Sequence, residues 1–404
     1  MYQGRRKEIY QRAADSLASR PLVKSDAFMS TFLKCEKIDF SSKPDPAPRV
    51  IQPRTPRYNV EVGRYLKPLE KRICRGIAEI WGGDTILKGK NAEQSAVSLR
   101  QMWDQFDEPV AVGIDATRFD QHVSYEALEW EHSVYMLCFP PHTRPKLERL
   151  LKMQLVNRGY ARLEDLELMY EVRGRRMSGD MNTGMGNCLL MCAMIHWITA
   201  EMGVRCRLAN NGDDCVLILE KRDLGKLGRL GPLALDFGFV LEIEPEVDVF
   251  EQICFCQNHP VWGGHSWVMC RDPRKCVDKD LVTVLDLGNI KSARKWCHAI
   301  GTGGLAMAGG LPVLGSFYGM LLRHATTGKV DAHPWLENGF AMMAKGMARH
   351  SDVVTPESRA SFFKAFDITP DQQESIESSY ATMLLNLSAG VSESPLACYG
   401  KIWQ

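Results

Sequence analysis

The spacing of apolar residues changes repeatedly along the chain, and each change predicts an element. The run Pro109-Val-Ala-Val-Gly-Ile, closed by Asp115, is short and almost wholly apolar, as expected of a buried strand. A helix is predicted from about Ser124 to Phe139, with Leu128, Val134, Tyr135 and Leu137 as its apolar positions. A second helix starts within the proline-bearing segment 140–145 and carries Leu147, Leu150, Leu151 and Leu155. Residues 168–182 read as a strand running into a glycine-bearing loop, and the apolar stretch from about Thr183 to Met202 reads as a long buried helix. Residues 207–220 predict strand, short turn, strand, because Asn-Gly followed by acids is hairpin-turn chemistry. A helix and a strand follow over 224–243, and then a hairpin-like pair, 252–257 (QICFCQ) and 266–270 (SWVMC). From Lys279 onward the pattern is mostly helical. There Thr355-Pro356-Glu357 and Thr369-Pro370-Asp371-Gln372 each set a cap residue, a first-turn proline and an acid in helix-start order.

Composition narrows the class. The chain has 404 residues, 45% hydrophobic and 25% charged, which suits a globular protein of two or three domains and excludes a disordered chain. A formal net charge of +1 argues against a uniformly basic nucleic-acid coat. The first thirty residues lack the apolar core of a signal peptide. The uncharged stretch 301–322 is long enough for a membrane span, but it holds seven glycines and a proline, so it is expected to form buried loop and core helix. The thirteen cysteines are odd in number and scattered, which suggests reduced thiols. Among them Cys254, Cys256 and Cys270, with His259 and His265, lack the spacing of a zinc knuckle and are expected to be buried strand thiols.

Charge is uneven along the chain. Residues 1–80 hold 17 Lys and Arg against 9 Asp and Glu. The basic segment from Lys43 to Arg75 contains Pro44, Pro46, Pro48, Pro53 and Pro56, so its first half is predicted to be an extended arm. A solvated basic face is one reading. A stiff arm can also hold guanidinium groups against phosphates.

Three acids stand where predicted strands end or turn: Asp115, Asp213 and Asp214. Adjacent aspartates at a hairpin tip repel each other, and a divalent cation would relieve that. All-oxygen ligands select Mg²⁺ or Mn²⁺. If the strand ending at Asp115 lies beside the hairpin, the carboxylates converge as in a two-metal phosphoryl-transfer site, whose ions sit about 3.5–4 Å apart. An Asx-rich turn and an unrelated strand-end acid are the plain alternative.

The acids belong to an ordered series. Asp115-x4-Asp120 is followed by Ser178-Gly179-x3-Thr183-x3-Asn187 and then Gly212-Asp213-Asp214, with the basic arm upstream. This series resembles the palm of viral RNA-dependent RNA polymerases. The wording DATRFDQHVS, SGDMNTGMGN and NNGDDCVLI is most similar to the tombusvirus-like (carmovirus-type) group of positive-strand RNA viruses. The resemblance is specific from about Pro48 to Cys270, and weaker at GRRKEIYQRAADSL and GGLPVL.

The resemblance implies an α+β right-hand polymerase, with a palm of antiparallel sheet backed by helices. Fingers would span 1–108 and 141–177, palm 109–140 and 178–270, and a helical thumb 271–404. By the same resemblance Asp115 and Asp213 are principal ligands of catalytic Mg²⁺ (Mn²⁺ as alternative), and Asp214 is auxiliary. Asp120, Ser178, Thr183 and Asn187 would recognise the ribose 2′-hydroxyl. Arg49 would lie over the incoming nucleotide, with Arg54 and Arg57 on phosphates; Lys43, Arg64 and Gly179 would meet RNA. Gly179 and Gly184 would let their loop flex or approach the template. The 252–270 hairpin resembles the primer grip. The segment Asp236-Phe-Gly-Phe-Val-Leu-Glu carries no lysine to protonate pyrophosphate, and Lys226 falls earlier, so no general acid is assigned.

The implied partners are viral RNA template, nascent RNA and nucleoside triphosphates, together with other replicase proteins and host factors. The implied place is the host cytoplasm, at membrane-associated replication complexes, although no convincing membrane span is present in the sequence. A reverse transcriptase would carry a bulky residue in place of Asp120. A non-catalytic RNA-binding protein has no use for both acid motifs.

Overall fold

The computed structural model describes residues 2, 4–34, 47–163, 166–282, 289–328, 344–349 and 353–387. The chain forms two compact units, Met1–Lys34 with Asp45–Lys88 and Ile114–Glu244, and Cys35–Pro44 with Gly89–Gly113 and Pro245–Gln404.

The first unit holds two four-stranded sheets. In one, β1 (Met29–Leu33) pairs antiparallel with β2 (Val50–Ile51) and parallel with β4 (Val156–Leu163), which forms an antiparallel hairpin with β5 (Leu166–Arg173). In the other, the order is β6-β7-β3-β8, where β3 is Pro109–Ala116 (of which the residues from Ile114 belong to this unit), β6 Cys206–Asn211, β7 Asp214–Glu220 and β8 Leu241–Ile243. As an inner strand β7 is covered on both faces: Cys215 through Leu219 are each at most 1% exposed. That is why it reads as an unbroken apolar run and not as an alternation. Helix α7 (Thr183–Glu201) buries Met191, Ile195 and Ile198 completely and is apolar nearly all round, as a core helix must be, and the short α8 (Leu230–Asp236) packs on it.

The prolines of the arm act as expected over the described part. Residues 47–55 are extended or in short bridges, and helix α2 (Pro56–Trp81) begins only after Thr55, whose hydroxyl accepts from the Tyr58 amide, with Pro56 in the first turn. Helix α2 ends at Gly82, whose φ of 76° suits glycine. Helix α1 (Gly4–Ser19) packs along α2. Helix α4 (Phe119–His122) is a single turn, and α5 (Tyr125–Leu137) is capped by Ser124 and packs with α6 (Arg144–Lys152). Two of its sequence-predicted apolar positions are buried, Leu128 and Tyr135, but Leu137 is 74% exposed. The remaining buried places on α5 are taken by Glu131 and His132.

The second unit contains α3 (Ala92–Trp103), a two-stranded hairpin and helices α9 (Pro273–Asp280), α10 (Ile290–Ala308) and α11 (Leu314–Arg323), followed by helices Pro356–Phe366 and Pro370–Thr382. Both of the last two start as their sequences dictate, capped by Thr355 and Thr369, the latter in a reciprocal box with Gln372. The stretch 301–322 covers the end of α10, a turn and α11. Its glycines permit close packing: a Cβ on Gly304 would stand 2.2 Å from the Tyr318 ring. No described helix is long and apolar enough to cross a membrane.

One expectation needs correction. The hairpin is built from β9 (Asn258–Trp262) and β10 (Trp267–Arg271), with Cys270 opposite His259, so residues 252–257 are not its first strand. Cys256 and Gln257 adopt left-handed φ of 52° and 60°, which turns the chain before pairing begins. Cys270 is therefore a buried strand thiol, whereas Cys254 and Cys256 are half-buried outside the strands.

Candidate active site

The hairpin β6–β7 is closed by two residues, because Asn211 pairs with Asp214 and leaves only Gly212 and Asp213 at the tip. Gly212 has a φ of 90°, open to glycine without steric cost. The fully buried Asn210 staples the turn: its Nδ2 donates to Gly212 O at 2.7 Å, and its Oδ1 accepts from Gly212 N at 3.2 Å. This local wiring lifts Asp213 into solvent and starts β7 with a half-buried Asp214. Strand β3 lies next to β7 and carries Asp115 exposed near its end, opposite Glu242 of β8. Among the described residues no three His, Cys, Asp or Glu side chains already form a cluster able to hold a metal.

Asp120, on α4, comes to the same place from the other side. Its Oδ1 accepts from Asn187 Nδ2 at 2.7 Å, and Asn187 Cβ lies 4.0 Å from where a Gly212 Cβ would stand. Burial pushes the Asp120 carboxyl up from the ordinary carboxylate range. Asn187 and the Arg176 charge pull it down, while Asp213 and Asp180 push it up. Ser178 and Thr183 are not in this contact. Ser178 Oγ accepts from the Gln52 amide at 3.0 Å, and Thr183 Oγ1 donates to Met177 O at 2.7 Å, so both tie the 174–182 loop to backbone.

Behind Asn187 lies a charged network that the sequence pattern does not announce. Arg176 Nε donates to Asn187 Oδ1 at 3.0 Å, and both terminal nitrogens of Arg176 meet the Glu131 carboxylate. Both side chains of this pair are 0% exposed. Glu131 Oε1 also accepts from Tyr135 Oη at 2.6 Å and Asn182 Nδ2 at 2.7 Å. Burial alone would raise the Glu131 carboxyl, but Arg176, through its charge and hydrogen bonds, reverses this and leaves it below the ordinary range. The signal available in the sequence was Glu131 itself, three residues after Leu128 and four before Tyr135 on the inward face of α5.

The arginines of the arm divide. Arg49 is exposed on the extended segment. Arg54 is 3% exposed and all its donors are engaged inside the protein, by Asp180, Asn157 and the carbonyls of Ala27 and Met153. Arg57 donates to Asp26, Ser16 and the carbonyls of Arg20 and Pro21. The structure thus spends these two guanidinium groups on internal acceptors in place of the expected phosphates. Arg64 is exposed and pairs with Glu61, which also holds Lys146. Gly179 does make a close approach, but to the arm: a Cβ there would lie 2.4 Å from Pro53 Cα. A Cβ on Gly184 would meet the end of the Lys88 side chain. Lys43 lies outside the described residues. Lys226 pairs with Asp223 and donates to Gly203 O at 3.1 Å.

Four acids are thus set on neighbouring elements: Asp213 at the hairpin tip, Asp214 at the start of β7, Asp115 near the end of the adjacent β3, and Asp120 bonded to the Asn187 amide. The profile of the viral RNA dependent RNA polymerase family matches residues 1–388, and the chain belongs to that family. It is 47% identical over 391 residues to the RNA-directed RNA polymerase of Melon necrotic spot virus, covering 94% of this chain and 48% of that protein. It is 44% identical to the corresponding proteins of Tobacco necrosis virus (strain A), covering 96% of this chain and 53% of that one, and of Turnip crinkle virus, covering 95% and 50%. The chain spans about half the length of these relatives.

Proposed function

We propose that this chain is the polymerase portion of a positive-strand viral replicase, joining ribonucleoside triphosphates to an RNA 3′ end under the direction of an RNA template. The observation that carries the reading is the meeting of the Gly212-Asp213 tip with the Asp120–Asn187 pair, on a sheet whose next strand bears Asp115. In the reaction the 3′-oxygen bonds to the α-phosphorus as the bond to the β-phosphate oxygen breaks, and pyrophosphate leaves.

Asp115 and Asp213 would be the principal ligands of Mg²⁺ or Mn²⁺ and Asp214 an auxiliary one. The donor chemistry fits, because all three offer hard carboxylate oxygens. Mg²⁺ keeps several waters and takes substrate phosphate oxygens, so it does not require an all-protein cage. Bound divalent ions supply charge neutralisation at the triphosphate and a lowered pKa for the attacking hydroxyl. The chain's own residues do the positioning. Asp120 accepts the hydrogen of the ribose 2′-hydroxyl, a deoxyribose leaving that acceptor unpaired. Arg49, exposed on its stiff segment, lies over the triphosphate, and the surrounding loop is held shut against the arm by Ser178 and Gly179.

On this reading the first unit supplies the palm sheet around β3, β6, β7 and β8, within a fingers, palm and thumb division at the boundaries given by the sequence. Template RNA, nascent RNA and nucleoside triphosphates are its ligands. Other replicase proteins and host factors at a membrane-associated complex are its setting. The test is incorporation of radiolabelled nucleotide by the purified chain on an RNA template with Mg²⁺. Asp213→Ala should abolish it, and full activity in that variant would overturn the site.

A further inference from the structure

We infer that Arg176, held by Glu131, is a positioning residue for sugar selection: it fixes the amide of Asn187 so that Asp120 keeps one carboxylate oxygen for the ribose 2′-hydroxyl. The inference rests on the polymerase reading above and adds to it two residues that never touch the substrate.

The orientation of Asn187 follows from donor polarity. An asparagine amide has an accepting end and a donating end, and packing alone does not tell them apart. An arginine can only donate. Arg176 Nε, 3.0 Å from Asn187, therefore requires the carbonyl oxygen on its side and sends Nδ2 toward Asp120, 2.7 Å away. Nδ2 can only donate, so Asp120 must present an acceptor, and it does so through Oδ1 alone. Among the described residues Asp120 Oδ2 makes no hydrogen bond. With the amide reversed, two acceptors would face each other across the same gap.

Arg176 holds this orientation because it cannot itself turn. Its other nitrogens grip both oxygens of Glu131 in a fork, a geometry lysine does not reproduce. Its amide nitrogen also donates to Asp120 O at 2.8 Å, which ties the two backbones together. Glu131 is fixed in turn by Tyr135 and Asn182, and Asn182 Oδ1 accepts from Gln154 Nε2 at 2.9 Å. Space for the pair comes from α7: a Cβ on Gly186 would lie 2.5 Å from both Arg176 Nη2 and Glu131 Oε1. A buried ion pair is weak evidence for stability, since apolar residues of similar volume often replace it without loss. What an apolar pair does not replace is the polarity imposed on Asn187.

The test measures kcat/KM for each NTP and its 2′-deoxy analogue. In the volume-matched double variant Arg176→Met with Glu131→Leu, and separately in Arg176→Lys, discrimination should fall about tenfold, the loss of one good hydrogen bond. The change should sit in KM for the ribonucleotide more than in kcat. Combined with Asp120→Ala, the double variant should add no further loss of discrimination, because the two act along one path. If Asp120→Ala lowers discrimination while a folded Arg176→Lys enzyme discriminates as well as the parent, the positioning role is overturned and the polymerase site stands. If Asp120→Ala changes nothing, the sugar-selection reading fails and this inference falls with it. Should the double variant not fold, Arg176→Lys, which keeps the charge beside Glu131, decides the matter alone.

Discussion

The tip of the β6–β7 hairpin and the 174–182 loop belong to the same unit and are both rich in charge, yet they hold it in opposite ways. At the tip Asp213 stands exposed, and among the described residues no cation is paired with it. In the loop Arg176 and Asp180 are buried, and each has an oppositely charged partner at full contact, Glu131 and Arg54. The difference follows from solvation. A charge in water needs no partner and stays available to a ligand, whereas a buried charge is tolerable only when paired and hydrogen-bonded. The tip is therefore built to meet something from outside. The loop is built to hold still.

That contrast can be broken by substitution. Asp115→Ala should cost the largest effect, a loss of nucleotide incorporation of about 10⁴-fold, if each divalent-ion ligand contributes several kcal/mol to the transition state. Its unfolding free energy by urea titration should stay within about 0.5 kcal/mol of the parent, as for an exposed position. Arg54→Ala should do the reverse, lowering unfolding free energy by roughly 3–5 kcal/mol because Asp180 is left buried and unpaired. Equal stability of that variant by urea titration would show that the clamp is not where the loop is fixed. Gly179→Ala should destabilise by about 1–3 kcal/mol, since its Cβ would be pressed on the Pro53 backbone. A slower turnover that tracks the stability loss would place this glycine with the loop and not with RNA. Arg49→Ala, on the exposed side of the comparison, should raise KM for nucleotide about tenfold with no change in melting temperature. An unaltered KM would remove it from the site.

Much of the fold was legible because it is written in local chemistry. Thr355, Thr369 and Ser124 are followed by helices where their hydroxyls can cap them, and Pro48, Pro53 and Pro56 suit an extended segment that gives way to α2 only after Thr55. Asn-Gly-Asp-Asp specified a tight hairpin with Asp213 at its tip and Asp214 opening the second strand. The hairpin after residue 250 was less legible. QICFCQ has strand composition, but the left-handed Cys256 and Gln257 turn the chain, and neither residue type advertises that conformation.

The candidate site divides along the same line. By itself the sequence placed Asp115, Asp213 and Asp214 at strand ends and a turn, and Arg49 on a proline-stiffened segment. Only the tertiary structure decided the use of Arg54, Arg57 and Arg176. Their neighbours Asp180, Asp26 and Glu131 are 126, 31 and 45 residues away in the chain. Whether a guanidinium meets solvent, phosphate or a buried carboxylate depends on what the fold brings within about 3 Å, because hydrogen bonds and desolvation act over that range and sequence separation does not enter.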